Sequence, residues 1–186
     1  MKKFATTSLI LFIASMFSFS TLLAQDPNTF IGTKKCGMCH KKDKAGKQLK
    51  IWKDSKHAKA FKTLQSGKAD KIATEKGFTT KAAETPACLE CHAPAYDLDA
   101  TMMGKNFKIK DGVQCETCHG AGSSYKKKTI MKDHAKSVAN GMVEYKDMVA
   151  VKDQCLTCHN DKSPTYKDFD FDKRWAEIVH RVPEKK

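Results

Sequence analysis

Large aliphatic side chains are scarce in this chain of 186 residues once its first 24 positions are set aside. Leu, Ile, Val and Phe supply only 24 of the remaining 162 residues, and the whole chain has two tryptophans. A chain so poor in these residues and so heavily charged cannot bury enough apolar side chain to offset its conformational entropy, and has the composition of a disordered protein. An ordinary hydrophobic-core enzyme is thereby excluded. Acidic residues are also in deficit, with 21 Asp and Glu against 34 Lys and Arg, a formal charge of +13. No linker rich in Pro, Gly or Ser divides the chain, so a single domain is expected.

The one apolar run lies at the start. Lys2 and Lys3 precede a stretch from Leu9 to Phe19 broken only by small residues, and Thr21-Leu22-Leu23-Ala24 offers a small residue before Gln25. This reads as a secretory signal peptide over residues 1–24, leaving a mature domain of 25–186. The run is shorter than the roughly 18 apolar residues of a membrane span, so an uncleaved anchor is the lesser alternative. A soluble, exported, periplasmic protein is expected.

In an oxidising compartment eight cysteines would ordinarily mean four disulfides. Their spacing points elsewhere. All eight fall in Cys-x-x-Cys-His units: Cys36-Cys39-His40, Cys88-Cys91-His92, Cys115-Cys118-His119 and Cys155-Cys158-His159. This pentapeptide is the attachment signature of c-type haem. Two thiols one short turn apart can add to the two vinyl groups of a porphyrin, and the adjacent histidine then sits beneath the iron as proximal ligand. A zinc ribbon needs paired Cys-x-x-Cys units and gives no reason for four trailing histidines. A thioredoxin-type motif normally occurs once. Four covalently bound haem c groups are therefore expected, and they would supply the core that the side chains lack.

Ligating each of four irons with two histidines would take eight, and the chain has seven. With His40, His92, His119 and His159 proximal, His57, His134 and His180 remain as distal candidates. At least one iron then lacks a second histidine from this chain. Met102, Met103, Met131, Met142 and Met148 are rival ligands, but a methionine on an apolar face is more often packing. The three spare histidines lie in segments with helical periodicity: Gln48 to Leu64, Thr129 to Ala139 before Asn140-Gly141, and Phe171 to Val182 before Pro183. Irregular loops are expected over Thr79–Pro86 and Ala93–Asp111. Tyr96, Phe107 and Tyr125 are expected to pack against porphyrin. The fold class is all-α, helices and long loops wrapped around four haems.

The stretches Cys36-Gly37-Met38-Cys39-His40, Trp52-Lys53-Asp54-Ser55-Lys56-His57-Ala58-Lys59-Ala60, Gly112-Val113-Gln114-Cys115-Glu116-Thr117-Cys118-His119-Gly120-Ala121-Gly122 and Asp133-His134-Ala135-Lys136-Ser137 resemble the tetrahaem cytochrome c-554 family of periplasmic multihaem cytochromes. The resemblance implies His134 opposite His40 on the first haem, His57 opposite His119 on the third and His180 opposite His159 on the fourth. The second haem, on His92, would have no distal protein ligand. It further implies closely spaced haem pairs and a redox partner of the hydroxylamine oxidoreductase kind.

Of the 34 basic residues 32 are lysines, and loss of Lys2 and Lys3 leaves about +11. Haem propionates would answer much of this. The remainder, including Lys126-Lys127-Lys128, can steer an acidic redox partner. Export and the lack of a nucleic-acid motif argue against nucleic-acid binding. The leading expectation is an electron carrier exchanging electrons with a donor and an acceptor protein. The alternatives are a nitric oxide or related nitrogen-oxide reductase using an open second haem, and a gas-binding or structural subunit.

Overall fold

The computed structural model describes residues 27–183, so the expected signal peptide lies outside the described residues. Ten short α-helices follow one another: α1 (Thr33–His40), α2 (Gln48–Asp54), α3 (Ala60–Leu64), α4 (Gly67–Glu75), α5 (Pro86–His92), α6 (Cys115–His119), α7 (Lys128–Met131), α8 (His134–Ala139), α9 (Met148–Leu156) and α10 (Phe171–Ile178). Among the described residues there is no strand, only one parallel bridge between Phe30 and Met103. No described helix is long and apolar enough to cross a membrane.

The helices have nine residues or fewer, well below the roughly 12–15 at which an isolated helix becomes even marginally stable. Local chemistry sets their ends. Ser66, Asp133, Asp147 and Asp170 are side-chain N-caps that accept from the third residue beyond, at Ala69, Lys136, Ala150 and Lys173. Pro86 opens α5, where its missing N–H costs nothing.

The segments expected as single helices are divided. At Ser55 the backbone N–H turns back to the Ile51 and Trp52 carbonyls and the hydroxyl donates to Trp52 O at 2.6 Å, which ends α2. His57 then begins a 3-10 turn, His57–Lys59, rather than sitting inside a helix. Asp133 likewise separates α7 from α8, and α10 ends at Ile178, so His180 lies in the following tail. In each case a capping residue or an extended backbone overrides an apolar periodicity that continues past it.

Protein-only core is confined to one region. Leu64, Ala73, Ala82, Leu89 and Ala93 form its buried centre, with Phe61, Tyr96 and Ile109 packed against it. Tyr96 and the edge-to-face pair Phe30–Phe107 therefore meet protein side chains. In α9 and α10 no residue is buried, although α10 carries Phe171, Trp175 and Ile178 at helical spacing. That apolar face is only partly covered by protein, each of the three residues being half-buried. The scarcity read from composition thus has a location: the helices around the fourth motif have no side-chain core of their own.

Candidate haem-binding site

Three motifs sit on helices of their own, α1, α5 and α6, and the fourth closes α9, where His159 N–H donates to Cys155 O at 3.0 Å. All eight cysteines are free of disulfides. Among the described residues no three His, Cys, Asp or Glu side chains converge where protein alone could hold a metal ion. Each motif offers two thiols and one imidazole, a set suited to a group that brings its own equatorial ligands.

The four motifs lie together. Cys36 and Cys115 interact, the bond between them raising the Cys36 thiol and lowering that of Cys115. Burial and the neighbouring Cys158 push Cys91 up to about 11. Burial and the nearby Cys155 and Cys158 do the same to Cys118, also to about 11. The first motif therefore neighbours the third, and the fourth neighbours both the second and the third.

Proximal imidazoles are oriented through their Nδ1 atoms. That of His40 bonds Gln48 Oε1 at 3.0 Å, and that of His92 bonds Ala60 O at 2.9 Å. A carbonyl acceptor takes the Nδ1 proton and leaves Nε2 with its lone pair, the form in which histidine ligates metals. Burial lowers His119 to about 4, helped by His180 and His40, so its ring is neutral in neutral solution. His57, mainly by burial, and His159 are also held below the ordinary value.

Two spare histidines face proximal ones from distant parts of the chain. The rings of His57 and His159 have centroids 6.2 Å apart, and those of His119 and His180 are 5.9 Å apart. Two imidazoles on opposite sides of one metal ion, each about 2 Å from it, hold their ring centres about 6 Å apart. The residues therefore fit a haem iron between each pair. The pairing differs from the one implied by resemblance: His57 meets His159 rather than His119, and His180 meets His119 rather than His159. The backbone explains this. Gly112, at φ 74°, lets the chain pass so close to His57 O that a Cβ would sit 2.7 Å from it. Val113 N–H then donates to His57 O at 3.1 Å, and Trp52 Nε1–H to Val113 O at 2.7 Å. His57 is tied by its backbone to the segment before α6 while its ring reaches the fourth motif. His180 Nδ1 bonds Ile178 O at 2.9 Å, which leaves its Nε2 free.

His134 is exposed, and its Nε2 lies 3.0 Å from Glu144 Oε1. No proximal imidazole is in ring contact with it among the described residues. Its Nδ1 is the nitrogen left free.

The second motif opens on a cavity of about 460 Å³, lined by Cys88, Cys91 and His92 and by Leu64, Ile72, Ala73 and Phe78. That volume lies within the range of small-molecule and cofactor sites. Lys68, Lys76 and Lys162 also line it, suitable partners for propionate carboxylates, and no second histidine or methionine does.

Two tyrosines support the third motif in a way the sequence did not indicate: Tyr125, expected to pack against porphyrin, and Tyr145, which carried no expectation. Tyr125 is buried and its hydroxyl donates to His119 O at 3.1 Å and Gly120 O at 2.8 Å, fixing the backbone beneath the proximal ligand. Tyr145 O–H donates to Cys118 O at 2.8 Å. Neither residue lies inside a motif, and no spacing rule marks a tyrosine that binds a carbonyl.

A family model described as "Cytochrome c554 and c-prime" matches residues 35–120, which hold the first three motifs. Cytochrome c-554 of Nitrosomonas europaea is 29% identical over 166 residues, covering 78% of this chain. The chain spans 63% of that relative's length. No solved structure matches the chain significantly. The haem-attachment motifs and both comparisons agree: the chain is similar to the cytochrome c-554 family of c-type cytochromes.

Proposed function

We propose that this protein is a periplasmic electron carrier with four haem c groups, held by the cysteine pairs of its four motifs. The third iron would lie between His119 and His180 and the fourth between His159 and His57. The first would take His40 and His134 through Nδ1, and the second His92 alone. The observation that carries this reading is the pair of opposed imidazoles, 6.2 and 5.9 Å apart, each joining a motif to a histidine far away in sequence. Adjacent motifs support transfer from haem to haem inside one domain.

Each haem supplies a one-electron couple at its iron. The chain's part is to hold and orient it. Nδ1 bonds from His40 and His92 fix ring orientation, and burial keeps His119 and His57 neutral. Axial histidine keeps potentials below those of methionine-ligated haem.

Charge on the surface supports a protein partner. Residues 34–62 contain eleven lysines, all exposed, against two acids, Asp43 and Asp54. Lys47 and Lys50 pair with those acids, leaving nine lysines around the first motif without an ion-pair partner among the described residues. Met38 within that motif is 61% exposed. Residues 144–177 instead carry eight acids and six bases. An acidic redox protein would be steered to the first haem. Its second-order rate of electron exchange should fall at least about ten-fold as salt screens the attraction. A rate indifferent to salt would contradict this docking face. Nucleic acid is not an expected partner.

A second reading, reduction of nitric oxide or a related nitrogen oxide, is favoured by one observation: the cavity beside His92 has no second histidine or methionine. A partner of the hydroxylamine oxidoreductase kind is compatible with the carrier reading.

A further inference from the structure

Glu116 stands at a variable position of the third Cys-x-x-Cys-His unit, where attachment chemistry asks nothing of it. It is nevertheless buried, with 3% of its surface exposed. Oε1 accepts from Ile31 N–H at 2.8 Å and from Gly122 N–H at 2.7 Å, and Oε2 accepts from Gly32 N–H at 2.7 Å. Both oxygens act only as acceptors of short bonds, the pattern of a carboxylate. Among the described residues no lysine or arginine forms an ion pair with it.

The three amides belong to two places that matter. Gly32 is the N-cap of α1, which carries the first motif, and Gly122 follows the third. Gly32 holds φ 81°, and a Cβ there would meet Asn106 O at 2.5 Å, so the cap accepts no other residue easily. A Cβ on Gly122 would lie 3.2 Å from Glu116 Oε1 itself. Beside this clasp, Thr33 Oγ1–H donates to Gln114 Oε1 at 3.1 Å. Glu116 lies close enough to Cys36 of the first motif and Cys115 of the third for its charge to act on both, although the bond between the two thiols dominates and leaves Cys36 raised and Cys115 lowered.

We propose that Glu116 is a positioning residue and a fixed internal charge shared by the first and third haem sites. It locks α1 to α6 and selectively lowers the reduction potentials of those two haems. A ferric centre carries one more positive charge than a ferrous one, so a buried anion favours the oxidised state, and does so more strongly where water is excluded. Electrons are thereby biased away from the first and third haems toward the second and fourth. The assignment rests on the four-haem reading.

The test is a redox titration of the holoprotein, with the haems resolved by electron paramagnetic resonance, for the wild type, Glu116→Gln, Glu116→Asp and Thr33→Val. In Glu116→Gln the equilibrium constants for reducing the first and third haems should rise roughly ten-fold, the order expected for a unit charge acting over about 10 Å. The second and fourth should not move. Thr33→Val removes the neighbouring bond to Gln114 without touching the charge, and its potentials should match the wild type. Amide exchange supplies a separate readout: the Ile31, Gly32 and Gly122 protons should be protected in the wild type and exchange faster in Glu116→Gln. Faster exchange with unchanged potentials would reduce Glu116 to a structural brace and overturn the proposal. Should Glu116→Gln fail to mature, Glu116→Asp decides. Wild-type potentials with faster amide exchange support the charge, whereas potentials raised as the clasp opens refute it. Failure of the carrier reading is separately visible, as a holoprotein that exchanges no electrons with a redox protein whatever its potentials.

Discussion

Replacing His57 by methionine is expected to change the spectrum and raise the potential of the fourth haem, on His159, while the third haem stays as it was. The two rings oppose each other at 6.2 Å, and the third motif has its own opposed ring in His180. Methionine in place of an axial histidine raises the potential. The shift should be a few tenths of a volt, part of the roughly 0.8 V that axial ligands span. The backbone of His57 should hold, because Val113 N–H binds its carbonyl rather than its ring. Redox titration of the purified variant measures this. A shift confined to the third haem would restore the pairing implied by resemblance and refute the one drawn from ring geometry.

Preventing haem attachment is expected to have the largest effect of all. A chain with each motif cysteine replaced by alanine should be mostly unfolded in water. Only seven apolar residues are buried among those described, and three of them are alanines. Helices of nine residues or fewer contribute little by themselves, and α9 and α10 contain no fully buried residue. Residual structure should be limited to the region from Phe61 to Ile109, where the side-chain cluster lies. Far-ultraviolet circular dichroism through a urea titration reads the outcome. A cooperative transition with the full helical signal would show that the side chains suffice after all.

The four motifs stand out in the sequence because covalent haem attachment asks for a fixed spacing: two thiols and an imidazole within five residues. The helical class and the lack of a conventional core were legible for a similarly direct reason, since they follow from composition. Helix extents were less so. The apolar repeat from Ile51 to Leu64 continues across Ser55, and it takes the hydrogen bonds of Ser55 to Ile51 and Trp52 to show where the helix stops. Which imidazole rings meet was not legible from residues alone. The rings that His57 and His180 meet depend on the close pass at Gly112 and on where the tail after α10 runs. Glu116 escaped notice because a variable position in a motif looks like a spacer. Glycines at 120 and 122 immediately after His119 were the available signal, marking backbone that must approach something closely.

The count of seven histidines for four irons bears most directly on the account, because it joins sequence, geometry and function. The deciding measurement is electron paramagnetic resonance of the oxidised holoprotein, joined to an optical titration of the reduced holoprotein with nitric oxide and carbon monoxide. Three low-spin haems and one high-spin haem are expected, with gas bound only at the haem on His92. Four low-spin haems that bind no gas would contradict it.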